Sequence, residues 1–576
     1  MEDDRPLCRR TASMSSIPIS LESSDLGDGY DAVFYPLSLV GRDDFIHGLF
    51  GQNYLSRHAD DGALLLENGM GGGGSQPQPQ SMNPAPGSVE DNEEEDINLV
   101  AMEPFPDVVD LTLVTWASHD DPKNPLNWSR GKKWTATLIV SSFTFISPVS
   151  STMVAPALST IAKEFSITSS MEQVLVMSIF LLAYAVGPFV LGPLSELFGR
   201  VVVLQSANMF FLVFNTACGF ATNKTQILAF RFLSGLGGSA PQALGGGVLS
   251  DCWRAEERGK SIAIYSLAPF IGPAVGPIAG GFIAQYTTWR WVFWSVSIVD
   301  TFVQIIAFLF LHETYAPKIL AVKAKWMRKQ TGNKALHTKW QSKDRTFGKL
   351  LRTALVRPFI MLFTQPAIQA LALYRGYLYG LMYLVLSSFP LVWESTYKQP
   401  TDIASLNYLS LGIGFVLGLQ ICAPIMDRIY CRLKTRYNHK GRPEFRVPLM
   451  LPGGLLVPIG MFLYGWSAHF STHWIIPNIG ALIFSTGLII GFQCAQAYVV
   501  DAYTLYSASA TGAAAFVRTL AGFSFPLFAP SLYESLGLGW GNSLLAFISL
   551  ALGVVSPVLL WRYGEWLRSK STYCAG

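Results

Sequence analysis

The sequence predicts an all-α membrane protein: twelve transmembrane helices in two six-helix halves, preceded by a long disordered N-terminal tail. Three observations carry that reading. Half of the 576 residues are hydrophobic and only 14% are Asp, Glu, Lys or Arg, against roughly 25% in an ordinary soluble domain. Beyond Lys133, apolar stretches recur that are long enough to cross a hydrocarbon core of about 30 Å, which takes roughly 20 helical residues. Residues 1–133 instead hold Gly71 to Gly74, the QPQPQ run ending at Gln80 and the acidic stretch Glu90 to Asp96. Such a composition buries too little apolar surface to offset chain entropy. The opening MEDDRPLCRR has three acids in a row directly after its Met and no long apolar core follows it, so no cleavable signal peptide is expected and the tail is placed in the cytosol.

The expected spans run, in order, over 134–156, 172–193, 201–221, 225–249, 261–285 and 290–311, then over 367–393, 404–426, 447–468, 474–500, 511–534 and 540–562. Several carry Gly and Pro, which would break a soluble helix but suit membrane helices, where small residues let backbones approach. Orientation follows from Lys and Arg. Loops after even-numbered spans hold 23 of them, including twelve between Lys318 and Arg357, whereas loops after odd-numbered spans hold four: Lys163, Lys224, Arg290 and Lys398. Both termini, including the short tail 563–576, are therefore expected in the cytosol. The segment 312–366 divides the spans six and six and reads as a basic cytosolic linker against anionic lipid. Two six-helix halves around such a hinge is the plan of an alternating-access carrier.

Other classes fit poorly. A net charge of +3 is too near balance for a protein that binds nucleic acid by neutralising phosphates. The seven cysteines form no CxxC pair and have no zinc-like His spacing, so neither a disulfide framework nor a metal site is expected. The closest approach to a phosphate-cradling loop is Gly259-Lys260-Ser261, where Arg254 stands in place of the required first glycine. A membrane enzyme would need catalytic groups paired within the spans, and the eight histidines fall in the tail, at span ends and in loops. No enzyme activity and no cofactor are expected.

Three segments carry specific signals. Between spans 2 and 3 stands Gly192-Pro193-Leu194-Ser195-Glu196-Leu197-Phe198-Gly199-Arg200: a tight turn that asks for glycine, with an acid at one helix end and a base at the next that could hold the face shut by charge pairing and helix-dipole contact. Span 4 carries Arg231, followed by Ser234, Gly235, Gly237 and Gly238, and an arginine in a membrane helix is costly and faces the bundle interior or water. Span 5 reads Gly272-Pro273-Ala274-Val275-Gly276-Pro277-Ile278-Ala279-Gly280-Gly281, a small-residue face with prolines that bend a helix.

Together these resemble the major facilitator superfamily, specifically its fungal twelve-span drug:proton antiporter branch. They look like that family's loop 2-3 motif, its span-4 arginine motif and its antiporter motif, with Glu196 in place of the usual Asp and Ser234 where Gln is common. Asp121 to Trp128 before span 1, Glu313 to Pro317 after span 6 and Phe389 to Glu394 ending span 7 also look like the branch, and the resemblance covers about residues 120–565. The Pro-Glu-Ser-Pro-Arg signature of sugar carriers is absent after span 6. The resemblance implies the major facilitator fold, a gating role for Gly192, Glu196, Gly199, Arg200, Gly272, Gly276, Pro277, Gly280 and Gly281, and a part for Arg231 in proton coupling. For Arg231 a packing arginine bonded to helix-end carbonyls stays open. For Asp300, midway through span 6, helix packing stands beside proton carriage.

In that fold spans 1, 4, 7 and 10 line the central cavity. On span 7, Arg375, Tyr379, Tyr383 and Ser387 recur every four residues on one face, and on span 10 Gln493 and Gln496 are three apart. Tyrosine faces and amides favour a bulky, flat or amphiphilic molecule over a sugar or an ion. The expected protein is a proton-driven exporter of hydrophobic or amphiphilic organic compounds, drugs, toxins or secondary metabolites. It works as a monomer in the plasma membrane, or alternatively the vacuolar membrane, and draws on the proton gradient. Polyamine export and a non-transporting nutrient sensor are the alternatives.

Overall fold

The computed structural model describes residues 112–254, 257–340, 347–437, 441–571 and 573–574. Among these the secondary structure is helical apart from one β-bridge between Leu113 and His337. Spans 1 to 3 are the helices Arg130–Thr152, Ser170–Phe198 and Arg200–Cys218. Spans 5 and 6 are Arg258–Tyr286 and Arg290–Phe310, and spans 7 to 10 are Pro366–Pro390, Tyr408–Arg436, Met450–His469 and Ile475–Ala502. Spans 11 and 12 form one run, Ser507–Ser569, interrupted where Gly537 takes φ 69° and ψ 174°. That left-handed backbone is one a glycine adopts without strain.

Span 4 is the irregular one. It comes as Lys224–Gly238 and Ala240–Cys252, so neither half alone is long enough to cross a membrane. Asn223 starts it by accepting from the Gln226 N–H at 2.9 Å, while Gln226 reaches back to the Thr222 N–H at 3.0 Å, which satisfies orphan groups at the helix end. The break follows Gly237 and Gly238, where Pro241 supplies no N–H. A methyl built on Gly237 would lie 2.6 Å from the Phe211 nitrogen, and one on Gly238 would lie 2.8 Å from Ser147 Oγ. Gly237 thus lets span 4 touch the backbone of span 3, and Gly238 lets it close on Ser147 of span 1, as small residues do in lipid.

Two physical features mark the bundle as lipid-embedded. Large apolar side chains face outward, among them Phe302, Phe308, Val213 and Phe547, where a soluble protein would be polar. Hydroxyls inside spans bond back to their own helix, as Thr137 does to the Lys133 carbonyl at 3.0 Å and Thr144 to Val140 at 2.8 Å. Without water in the bilayer core, each polar group must find such a partner.

Most of the expected tail lies outside the described residues, but 112–129 are described and are held onto the bundle. The Val114 N–H donates to the His337 carbonyl at 2.7 Å, the His337 N–H to Thr112 at 2.9 Å and Lys323 to the Thr115 carbonyl at 2.7 Å. Asp121 accepts the Ala117 and Lys123 N–H groups at 3.0 and 2.9 Å, and those donors hold its carboxyl below the usual carboxylate range. Arg254 then bonds Asn127 at 3.1 Å. The linker contributes the helices Ala316–Thr331 and Phe347–Thr364, so these eighteen residues and the linker brace each other at the end of the bundle that carries both termini.

Replacing Asp121 with Ala removes two charge-assisted bonds, each worth about 1.5–3 kcal/mol at most. Trypsin cleavage of the purified protein at Lys123 should quicken several-fold in Asp121→Ala. The exposed neighbour Asp120, substituted the same way, should leave it unchanged.

Candidate functional site

A cavity lies between spans 1, 2, 4, 5, 7, 10 and 11. Span 7 contributes Arg375, Tyr379 and Tyr383, and span 10 contributes Gln493, Gln496 and Phe492. The five cavity residues expected from the sequence thus all line it. Ser387 does not; its hydroxyl donates to the Leu384 carbonyl at 2.9 Å. Among the wall groups that escaped the sequence reading are Tyr184 on span 2, Gln242 on span 4, Tyr265 on span 5 and Arg518 on span 11. Arg518 had a usable signal, because a basic residue inside a span is itself a functional flag. Aromatic faces dominate: the Tyr379 and Tyr383 rings lie 5.0 Å apart and Tyr379 stands 6.4 Å from Phe492. Among the described residues the wall carries no Asp or Glu.

Arg231 lies one layer behind this wall, fully buried. Its Nε donates to the Val176 carbonyl at 3.2 Å, Nη1 to Ser150 at 3.1 Å and Nη2 to Ser151 at 3.2 Å, and its guanidinium packs 4.8 Å from the Phe180 ring. The bonds tie span 4 to spans 1 and 2, the geometry of a packing arginine. Two of these partners, Ser151 and Phe180, themselves line the cavity, and Ser151 Oγ shares a 3.1 Å hydrogen bond with Tyr383. Asp300 is also fully buried and away from the wall; Asn208 of span 3 donates to its two oxygens at 3.1 and 3.0 Å and to Gln304 at 3.0 Å. The structure therefore keeps Asp300 apart from the cavity residues, while Arg231 lies directly against the back of the wall.

At the start of span 3 the pairing differs from the one the sequence led us to expect. Arg200 Nε meets Asp251, at the end of span 4, at 2.6 Å, while Glu196 is exposed. Glu313 fills the other role, accepting the Arg200 and Val201 N–H groups at 3.0 and 3.3 Å, a carboxylate on a helix N-terminus where the dipole favours it. Asp251 and Glu313 were missed because both are far from Arg200 in sequence. Of the two motif glycines, Gly199 has φ 102° and a side chain there would run into Glu313, whereas Gly192 lies within the span 2 helix with open space beside it. On span 5, methyls built on Gly272 and Gly276 would sit 3.0 Å from Pro148 and 2.8 Å from the Val149 carbonyl of span 1, and Gly280 and Gly281 abut Met153 and Ser405. Pro277 stays inside an unbroken helix.

Residues 140–526 match the Major Facilitator Superfamily. The chain belongs to that superfamily. It is a multi-pass membrane transporter and not an enzyme. It is 48% identical over 467 residues to the efflux pump vrtL of Penicillium aethiopicum, across 81% of this chain and 92% of that protein. It is 40% identical over 476 residues to the efflux pump radE of Floropilus chiversii, across 82% and 88%. The fold is similar to a partially occluded, inward-open xylose transporter XylE from E. coli, with TM-score 0.56 and 16% identity over 75% of this chain and 98% of that one.

The two motif glycines of this major facilitator protein should part on substitution. Gly199→Ala places a side chain in a left-handed backbone, a cost of about 1–2 kcal/mol, and drives it into the Glu313 carboxylate. The melting temperature and membrane yield of Gly199→Ala should fall clearly, and Gly192→Ala should match the wild type.

Proposed function

We propose that this protein exports hydrophobic or amphiphilic organic compounds in exchange for protons by alternating access. The observation that carries the reading is the central cavity, whose tyrosine and phenylalanine faces and paired amides suit a bulky flat solute. The efflux-pump names of the relatives support export. Polyamines would need carboxylates in the wall, and among the described residues it has none.

In this reading the energy comes from the proton gradient, with no cofactor, and the partners are a small organic solute, protons and the lipid bilayer. The carrier acts as a monomer in the plasma membrane, with both termini in the cytosol as the Lys and Arg bias favours. The Arg200 cluster and the span 5 glycines govern the change between states. Support for coupling comes from the antiporter-like segment of span 5 and from Arg231, which adjoins the cavity through Ser151 and Tyr383. Asp300 is the second candidate for the proton path.

Export of a labelled hydrophobic compound from energised vesicles should collapse when a protonophore is added. Persistence without a proton gradient, together with loss on ATP removal, would contradict the mechanism. Arg231→Lys keeps the charge but not the planar fork that spans three carbonyls, so both it and Arg231→Ala should lose coupled export per molecule at the membrane. Wild-type coupling in Arg231→Ala would remove this residue from the proposal.

A further inference from the structure

The cavity wall contains an unmet electrostatic demand. Arg375 is 2% exposed, and its Nε and Nη1 have no hydrogen-bond partner. Arg518, across the cavity on span 11, has an unpartnered Nε, and Gln496, 4% exposed, an unpartnered Nε2. The two guanidiniums converge on one ring: Arg375 lies 4.4 Å and Arg518 5.7 Å from the centre of Phe492, and Arg518 lies 4.9 Å from Tyr379. Ring faces attract cations, but they do not satisfy N–H donors and do not separate two like charges. Burying a charge without a partner is expensive enough that such groups are paired or functional. Arg231 in the same bundle shows the paired outcome, with all three nitrogens bonded to carbonyls.

We propose that Arg375, Arg518 and Gln496 form an anion-binding site, and that the solute this transporter prefers is a planar aromatic anion. Its carboxylate or ionised phenol meets the two guanidiniums, while its ring system lies against Tyr379, Tyr383 and Phe492. Guanidinium forks match a carboxylate in two parallel bonds, and the surrounding aromatic faces supply the apolar contact. A cationic solute would add a third positive charge to a wall that offers no acid. The inference rests on the cavity being the solute site of an exporter, and it narrows the solute class from amphiphilic compounds in general to anions.

The test uses the purified full chain in lipid nanodiscs and two probes, anthracene-9-carboxylate and its methyl ester, titrated by thermal shift and corrected for uptake by empty nanodiscs. The carboxylate should half-saturate at a concentration about tenfold or more below the ester, as charge-assisted bonds to buried donors imply. Arg375→Gln and Arg518→Gln should each erase most of that preference, bringing acid and ester toward equal half-saturation, and Arg518→Lys should keep part of it. Equal binding of acid and ester by the wild type overturns the proposal, as does an undiminished preference in the glutamine variants. Because no gradient is present, preference for the acid combined with export that ignores the protonophore would sink proton coupling alone, and proton-driven export with no preference for the acid would sink this site alone.

Discussion

The guanidinium of Arg231 donates to three backbone carbonyls on two other helices, and the meeting of spans 1, 2 and 4 is built on that requirement. Inside lipid a charge has no water to fall back on, so its donors must be met by protein. Carbonyls of Ser150 and Ser151 are free to accept because span 1 ends there, at Thr152, and the last carbonyls of a helix lack intrahelical partners. Span 4 reaches them only because its glycines let it lie against spans 1 and 3. The same residue type is treated in the opposite way at Arg375, equally buried yet left with open donors. One arginine is used as a fastening and the other is kept available.

A second constraint repeats in both halves. Arg200 at the start of span 3 pairs with Asp251 at the end of span 4. Arg446, just before span 9, pairs at 2.9 Å with Asp427 on span 8 and at 2.9 Å with Asp501 on span 10. Each half also uses a more distant glutamate: Glu313 after span 6 caps span 3, and Glu444 meets Arg568 at the end of span 12 at 3.0 Å. These sit at helix ends, and all but the buried Glu444 keep partial exposure. Breaking a fully buried pair strands a charge at roughly 3–5 kcal/mol, whereas a half-wet one regains hydration, so these contacts can hold one arrangement without making the other inaccessible.

Much of this was legible in the sequence, and the misses share a cause. Span positions follow from apolar length, and Arg375, Tyr379 and Tyr383 follow from a four-residue spacing that one helix enforces. Gln493 and Gln496 likewise share a face. Asp251 and Glu313 could not be found this way, because no periodicity relates them to Arg200; only tertiary packing does. The break in span 4 was also hidden, since the apolar count runs straight through Ser239. Gly192 and Gly199 look equivalent as letters and differ only in backbone, one helical and one at φ 102°. Arg518 is a different case: the intramembrane-charge rule that singled out Arg231 applies to it equally.

Span 5 joins packing to movement through two neighbouring stripes. Gly272, Gly276 and Gly280 recur every four residues and lie against span 1 from Phe145 to Met153, tightly at Gly272 and too close for a side chain without a shift at Gly276 and Gly280. Pro269, Pro273 and Pro277 recur at the same interval, and Pro269 reaches the cavity wall. Each proline removes one rung of the helix ladder, so the helix is weakest along a line beside the one on which it is most tightly held. The glycine contacts to span 1 involve backbone and short side-chain atoms, of Pro148, Val149, Thr152 and Met153, whereas the proline stripe is turned toward the cavity at Pro269. On its other flank Ala274 meets Gly412 of span 8, where a methyl would stand only 2.9 Å away. Span 5 is therefore held to its own half by glycine, smooth toward the opposite half at Ala274, and interrupted by proline beside the cavity.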